Sequence, residues 1–526
     1  MTSRTTAPEA RSGALHRGPI LAALMATMAL SAMDNTIVAT AIPQVVRDLG
    51  GFSLFSWVFS AYLLTQTVTI PMYGKLADQW GRKPVLVTGT IVFLTFSGLC
   101  ALSWNMISLI AFRGLQGVGA GAIMATVNTL AGDLYDLSER GRVQGFLSSV
   151  WGVSAVLGPA LGGLLAQYAS WRWIFVINLP VGAVSLTLIG RYLHERVTRR
   201  RHRVDVPGAL LILAAAGGLV FGLLQGGVAW GWLSPPSVVV FAAAAVAAVA
   251  AIVVERRAAE PIMPPWIWTR RVLAGSSVGA LGLGLLVIGP TTFLPTYGQE
   301  VLGLGAIAAG AVLATMSFGW PLASSQSGRL FLRIGFRDTA AIGAVVCLLG
   351  VLCFGLAPRP AGTWVAVAST FVLGFGLGLL SVCTVVGAQS TVAWDQRGVV
   401  TGAIMFSRYL GQSLGAAVFG AVFNTAILHR LQSPPPALRG RLPHQVNAVS
   451  AALGRPGGPG TAAVGRLSGQ ESVIGYLRQA ITAAMHDVYT GLAGVAVVTL
   501  AVVLVIIPRR FETSAGASAD VPGGPH

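Results

Sequence analysis

The feature that most limits this chain is a succession of apolar runs, each about as long as a bilayer is thick. A helix rising 1.5 Å per residue crosses ~30 Å of hydrocarbon in about 20 residues. Runs of that kind lie near 20–42, 56–76, 84–103, 106–131, 142–167, 173–191 and 207–226. Seven more lie near 236–254, 273–298, 306–327, 338–356, 362–390, 400–427 and 483–507. Composition points the same way: 54% of the residues are hydrophobic and 10% charged, against roughly 25% charged in a soluble domain. The 66 glycines suit helices that approach one another closely in lipid. The expected fold is an all-α integral membrane protein with fourteen transmembrane helices. The even number puts both termini on one side.

The net charge of +17 raises the question of nucleic acid. The basic residues, however, fall in short clusters between apolar runs with no aromatic interleaving, so no nucleic-acid partner is expected. Their distribution is topological. Alternate loops carry Lys75, Arg82 and Lys83, then Arg140 and Arg142, then the run RYLHERVTRRRHR at 191–203. Arg256, Arg257, Arg270 and Arg271 follow, and then Arg329, Arg333 and Arg337, whereas the opposite loops hold isolated charges such as Arg47, Arg172 and Arg359. Short loops rich in Lys and Arg stay in the cytoplasm, so both termini are expected there, in a multi-pass protein of the cell membrane. The N-terminal stretch reads as a cytoplasmic tail rather than a signal peptide.

The segment 428–480 falls on the opposite side although it carries Arg430, Arg439, Arg441, Arg455, Arg466 and Arg478. Loops of that length escape the charge bias more easily than short ones. Its middle is rich in Pro and Gly, and it closes on the amphipathic piece ESVIGYLRQAI. Both a partly ordered surface hairpin and a disordered loop fit this pattern.

The side chains that would betray an enzyme are dispersed. His16, His194, His202, His429, His444, His486 and His526 are scattered over both sides and the tails, and His486 adjoins Asp487 at the outer end of the last span. Cys100, Cys347, Cys353 and Cys383 all lie in apolar runs and read as packing residues, not as a disulfide framework or a zinc site. No G-x-x-x-x-G-K-[ST] loop is present to bind ATP. Neither an enzyme nor a metal protein is expected.

An internal repeat organises the chain. G-K-L-A-D-Q-W-G-R-K at 74–83 follows the second span, and G-R-L-F-L-R-I-G-F-R at 328–337 follows the tenth. Gly74 and Gly81 match Gly328 and Gly335, Leu76 matches Leu330, and Asp78 is replaced by Leu332. Two copies in corresponding loops imply two six-helix bundles with spans seven and eight inserted between them. The organisation is then a tail at 1–18, an N-terminal bundle at 19–191, and a basic linker with two inserted helices at 192–272. A C-terminal bundle at 273–507, which includes the 428–480 loop, and a tail at 508–526 complete it.

Charges inside spans are costly and mark function. Among the acids only Asp34 is deep; Asp133, Asp338 and Asp487 lie near span ends and Glu300 in an outer loop. Among the bases, Arg113 and Arg408 lie within spans. Counting from the span ends, Asp34 stands ~9 Å and Arg113 ~10 Å below the outer edge. Equal depth on two helices of one bundle makes an Asp34–Arg113 pair possible.

The loop GKLADQWGRK, with AMDNTIVATAIP at 32–43, RGLQGVGAGAI at 113–123, GPALGG at 158–163 and WRWIFVINLP at 171–180, resembles the fourteen-span drug:proton antiporter branch of the major facilitator superfamily. The resemblance runs along the whole chain in order and spacing, and the fold it implies is two major-facilitator bundles plus the two inserted helices. It implies a cytoplasmic latch at Gly74, Asp78, Gly81, Arg82 and Lys83 that favours the outward-open state. It implies an antiporter motif on span five at Gly152, Gly158, Pro159, Gly162 and Gly163, whose smooth face presses on the other bundle and which Pro159 bends. It assigns proton coupling to Asp34 and Arg113. By analogy spans one, four, nine and twelve line the cavity, offering Asn128, Thr291, Thr292, Phe293, Tyr297, Ser381 and Thr384, with Arg408 on span thirteen.

The implied activity is export of drugs, antibiotics or similar small amphiphiles, driven by the proton gradient without a cofactor, by a monomer in the lipid bilayer. The alternative is export of an endogenous metabolite or lipid. One departure matters. Pumps of large cations often carry further acids in the C-terminal spans, and spans nine to thirteen have none at depth. A neutral, zwitterionic or anionic amphiphile is therefore the expected substrate.

Overall fold

The computed structural model describes residues 17–49, 55–193, 195, 206–225, 230–258, 261, 263–438 and 470–509. The outer parts of both tails, most of the basic run at 191–203 and the middle of the 428–480 segment lie outside the described residues. Among the described residues the chain forms fourteen helices of fifteen residues or more. They are α1 (Arg17–Leu49), α2 (Phe55–Trp80), α3 (Arg82–Ala101), α4 (Met106–Leu134), α5 (Leu137–Tyr168), α6 (Asn178–Tyr192) and α7 (Val206–Gln225). After them come α8 (Pro235–Arg257), α9 (Arg271–Glu300), α10 (Ala306–Ile334), α11 (Phe336–Gly355), α12 (Thr363–Ser390), α13 (Arg397–Gln432) and α14 (Gln470–Ile506). Helices are the expected answer to lipid, because each satisfies its own backbone polar groups without water.

Ten of these helical segments are long and apolar enough to cross a membrane by length and composition. Among those that fall short are α2, α5 and α10. These three share a place: α2 packs along α13, and α5 along α10, at the seam between the two halves. A helix that faces another protein surface across a seam carries small and polar residues there, which lowers its hydropathy.

The repeat read from two loops extends to the whole architecture. In the N-terminal half α1 packs on α5, α2 and α3 on α4, and α6 on α1 and α3. The C-terminal half repeats each pairing eight helices later: α9 on α13, α10 and α11 on α12, and α14 on α9 and α11. Gly81 and Gly335, the matched glycines, both take positive φ, +98° and +89°. A side chain is strained in that region, so glycine permits the tight turn that reverses the chain between helices. The inserted α7 and α8 pack on each other and α7 leans on α2 and α13. Beside them, against Leu281 of α9 and Phe406 of α13, lies an apolar cavity of about 760 Å³.

Two boundaries differ from the sequence reading. The loop placed at 428–480 is narrower, because α13 continues to Gln432 and α14 already begins at Gln470. The amphipathic piece ESVIGYLRQAI is thus the first part of α14, held to its neighbours where the Tyr476 hydroxyl donates to the Arg430 carbonyl (2.7 Å) and Arg478 Nε to the Glu300 carbonyl (3.0 Å). His486 is consequently not at a helix end. It lies inside α14, buried, with its ring centroid 5.5 Å from that of Phe354.

Candidate coupling site and gate

The N-terminal half contains a fully buried ion pair. Asp34 of α1 and Arg113 of α4 meet through Asp34 Oδ2 and Arg113 Nη1, and neither side chain has any exposed surface. Gln116, one helical turn beyond Arg113, completes the ring: its Oε1 accepts from Arg113 Nη1 (2.9 Å) and its Nε2 donates to Asp34 Oδ1 (3.0 Å). Asn178 at the start of α6 adds a donor to the same carboxylate oxygen at 3.2 Å, and Arg113 Nε donates to the Val58 carbonyl at 3.2 Å. The guanidinium lies 4.1 Å above the Tyr62 ring. Tyr62 in turn shares a hydrogen bond with Ser31 (2.9 Å), to which Gln66 donates (3.1 Å). Arg113 Nη2 has no partner among the described residues. A buried charge must be matched by an opposite charge and by hydrogen bonds, and the Asp34 carboxylate has both. Neutralising it would remove an attraction that ties four helices together.

A second cluster ties the halves together at the basic end. Asp78 accepts from the backbone N–H groups of Gly398 (2.9 Å) and Val399 (2.8 Å) at the start of α13. A carboxylate there satisfies two N–H groups that have no intrahelical acceptor and meets the positive end of the helix dipole. Arg82 Nη2 pairs with Asp78 Oδ1 at 2.7 Å, and Arg82 Nε with Asp133 Oδ2 at 3.0 Å. Asp133 is shared: its Oδ1 pairs with Arg397 Nη1 of the other half at 3.0 Å. Arg82 also donates to the Trp394 carbonyl (2.7 Å) and lies 3.6 Å over the Trp394 ring. The result is an alternating chain, Asp78–Arg82–Asp133–Arg397, that crosses from one half to the other. Close by, burial first and the Arg397 charge second push the Arg140 guanidinium down to about 10.

Lys83 stands apart from this chain. Its ammonium donates to the carbonyls of Gly190 (3.0 Å) and Leu193 (2.6 Å), capping the C-terminal end of α6 in its own half. Of the five residues expected in the latch, Asp78 and Arg82 bridge the halves, Gly74 and Gly81 shape the approach, and Lys83 is an internal tie.

Glycines set the distance of closest approach. A Cβ on Gly74 would collide with the Gly398 carbonyl, and one on Gly398 would stand 2.6 Å from Asp78 Oδ1. On the other seam, a Cβ on Gly141 of α5 would stand 2.5 Å from the Gly328 nitrogen, and one on Gly152 2.8 Å from the Ser317 carbonyl oxygen of α10. Gly152 therefore presses on the other half, as its motif implies. Gly158 does not: its missing Cβ makes room for Thr36 of α1, whose hydroxyl donates to the Ser154 carbonyl at 2.9 Å. Gly162 is buried on α5, while the surroundings of Pro159 and Gly163 on the same helix lie outside the described residues. Beyond Gly152, α5 turns onto α1 at Gly158, and α10 lies against α12, where the Thr315 and Thr370 hydroxyls meet at 2.7 Å. The halves thus converge at the basic end and lean on their own helices toward the other.

The expected cavity residues divide. Tyr297 and Phe293 belong to the core of the C-terminal half instead: Tyr297 is fully buried with its hydroxyl donating to the Ala361 carbonyl (2.8 Å), and Phe293 stacks on Phe423 with centroids 4.8 Å apart. Thr384 is buried between α12 and Gly279 of α9. Asn128 lies in the basic-end contact, its carbonyl accepting from Gln389 of α12 at 3.3 Å. Thr291 is half-buried and bonded to its own helix, Thr292 is exposed, and Ser381 is half-buried. Arg408 is half-buried on α13 with its guanidinium 4.8 Å over the ring of Trp320 on α10.

Sequence reasoning missed Gln116, Asn178, Asp133, Arg397 and Trp394. Gln116 was legible, since three residues after Arg113 it shares that helix face. Nothing local links Asp133 to Arg397, which are 264 residues apart.

Comparison with known proteins places this geometry in a family. The model of the Major Facilitator Superfamily matches residues 24–416. The multidrug transporter protein MdtP of Bacillus subtilis (strain 168) is 31% identical over 434 residues, 82% of this chain and 80% of that protein. Multidrug resistance protein 3 of the same organism is 33% identical over 437 residues, 83% and 84% of the two chains. Among solved structures, the human organic anion transporter MFSD10 (TETRAN) superposes with a TM-score of 0.62 over 92% of this chain and 99% of its own. At 14% identity that likeness concerns the fold. With the two six-helix halves, the glycine-built seam and these relatives in hand, the chain is a membrane transporter and belongs to the Major Facilitator Superfamily.

Proposed function

We propose that this chain is a proton-driven antiporter that exports drug-like small amphiphiles across the cell membrane, with its basic end in the cytoplasm. The observation that carries the reading is the buried Asp34–Arg113 pair, a carboxylate at depth held by a single cation and neutral donors. In the proposed cycle a proton arriving from outside neutralises Asp34 and releases Arg113 toward its remaining acceptors, Gln116 and the Val58 carbonyl. The halves then rock about the seam, and the Asp78–Arg82–Asp133–Arg397 chain opens. Deprotonation toward the cytoplasm restores the pair as substrate is taken up. The arrangement closed at the basic end corresponds, in this orientation, to the outward-facing member of the cycle. Relatives named as a multidrug transporter and a multidrug resistance protein support the substrate range.

The driving force is sufficient. One proton entering across 100 mV supplies about 2.3 kcal/mol, and one pH unit adds about 1.4 kcal/mol. Their sum sustains a gradient of roughly several hundredfold if no charge moves with the substrate. Reconstitution in liposomes with an imposed pH gradient tests the proposal: candidate compounds should trigger proton release from the acidic side as they move uphill. Uphill movement that is indifferent to the pH gradient would sink it.

A further inference from the structure

Two arginines lie inside the spans, and their surroundings are opposite. Arg113 is enclosed by Asp34, Gln116, the Val58 carbonyl and Tyr62. Arg408 stands eleven residues into α13, which is ~16 Å along the helix and close to the middle of a ~30 Å hydrocarbon layer. Its contact is the face of Trp320, 4.8 Å away. Its Nε is buried without a hydrogen-bond partner, and among the described residues no carboxylate pairs with it. The acids from α9 through α13 are Glu300, Asp338 and Asp395, all at or beyond helix ends.

An aromatic face offsets only part of what a buried guanidinium loses on leaving water. Charges in spans ordinarily find a counter-charge or mark the path of a charged ligand. Arg408 has the second property without the first. It is half-buried rather than sealed, and it lies on one of the two seam helices of its half, with Trp320 on the other. Six residues before it, Gly402 packs on Pro71 and Gly74 at the closed gate. A ligand held between the halves just above the gate would meet this guanidinium.

We infer that Arg408 and Trp320 form a recognition site for a monoanionic amphiphile, the guanidinium taking a carboxylate or sulfonate and the indole face taking an adjoining aromatic or apolar body. The inference rests on the proposed transport reading and names its substrate class. A planar guanidinium suits a carboxylate because two parallel N–H donors can meet its two oxygens. The same charge, lacking a neutralising acid, repels cations.

The test uses the full chain in detergent, without any gradient, and three probes that share one ring system: 1-naphthaleneacetate, 1-naphthaleneacetamide and 1-naphthylmethylammonium. Calorimetric titration should give the anion about a tenfold or greater advantage over the amide, with the ammonium weakest. Arg408→Gln should erase that advantage, bringing the anion down to the amide's affinity. Arg408→Lys, which keeps the charge but not the fork, should retain part of it, and provides the readout should the Gln variant not fold. Trp320→Leu should weaken all three probes alike. Absence of anion binding, equal binding of the three probes, preference for the ammonium, or an anion advantage that survives Arg408→Gln would each overturn the inference. Because no proton gradient is involved, such a failure leaves proton-driven export standing. Failure of proton coupling, conversely, leaves the anion preference intact.

Discussion

The two copies of the ten-residue loop, 74–83 and 328–337, have kept the same backbone but not the same chemistry. Both turn on a glycine at positive φ, Gly81 and Gly335, and both begin with a glycine at a seam, Gly74 against α13 and Gly328 against α5. The first copy holds Asp78, which caps α13 and pairs with Arg82. The second holds Leu332, half of whose surface is exposed (54%). The glycine spacing is demanded by helix packing, which acts equally on both halves. In the proposed cycle the acid is demanded by a switch, and one switch at the seam is enough. The deep charges follow the same division: the N-terminal half has a closed ion pair at Asp34 and Arg113, the C-terminal half an open cation at Arg408. In the proposed cycle one half carries the proton chemistry and the other is free to recognise substrate.

The largest effect that would break this comparison is expected at Asp34. Asp34→Asn keeps the shape but has no titrating proton, so uphill export in liposomes should vanish while binding remains. Leaving Arg113 buried beside a neutral amide should also cost about 3–5 kcal/mol of stability, read as a lower unfolding temperature in detergent. Export at the wild-type rate would mean that protons travel through the C-terminal half.

The next effect separates the two seams. A methyl on Gly74 meets the Gly398 carbonyl head-on, whereas one on Gly328 would find its nearest atom, the Ser138 carbonyl oxygen, at an ordinary 3.4 Å. Gly74→Ala should therefore strain the closed gate by about 1–3 kcal/mol and cut export by an order of magnitude or so, while Gly328→Ala should transport normally. Equal loss in both variants would show that the seams are equivalent.

A smaller shift is expected from Asp78→Asn. The variant loses a charge-assisted interaction of about 1.5–3 kcal/mol and should open the basic end, seen as longer distances between spin labels on α2 and α13. Membrane insertion should be unaffected. The smallest effect is expected from Leu332→Asp, which restores the missing acid to the second copy. Half of that side chain is exposed, so export and label distances should stay within error of wild type. A tightened gate would show that the second copy had merely lost its residue and not its geometry.

Much of this was legible in the sequence because the bilayer imposes its own ruler. Span positions follow from hydrocarbon thickness, the repeat from glycine spacing, and the Asp34–Arg113 pair from depth, a coordinate that a helix in a membrane converts directly from residue number. Angle around the helix is not set that way. Phe293 and Tyr297 sit at the right depth for a cavity, yet they face the core, because which side of α9 looks inward depends on how α9 lies against α13 and α14. The gate was half legible for a similar reason. Asp78 and Arg82 are four residues apart, but Asp133 and Arg397 are separated by 264 positions and meet across the contact between the halves. Sequence by itself determined the helices, their order, their depth and the twofold plan, since each is fixed locally by solvent and chain geometry. Tertiary structure decided which charges are paired, which glycines are jammed and which arginine is left open, since those depend on the rotation of rigid helices against partners far away in the chain.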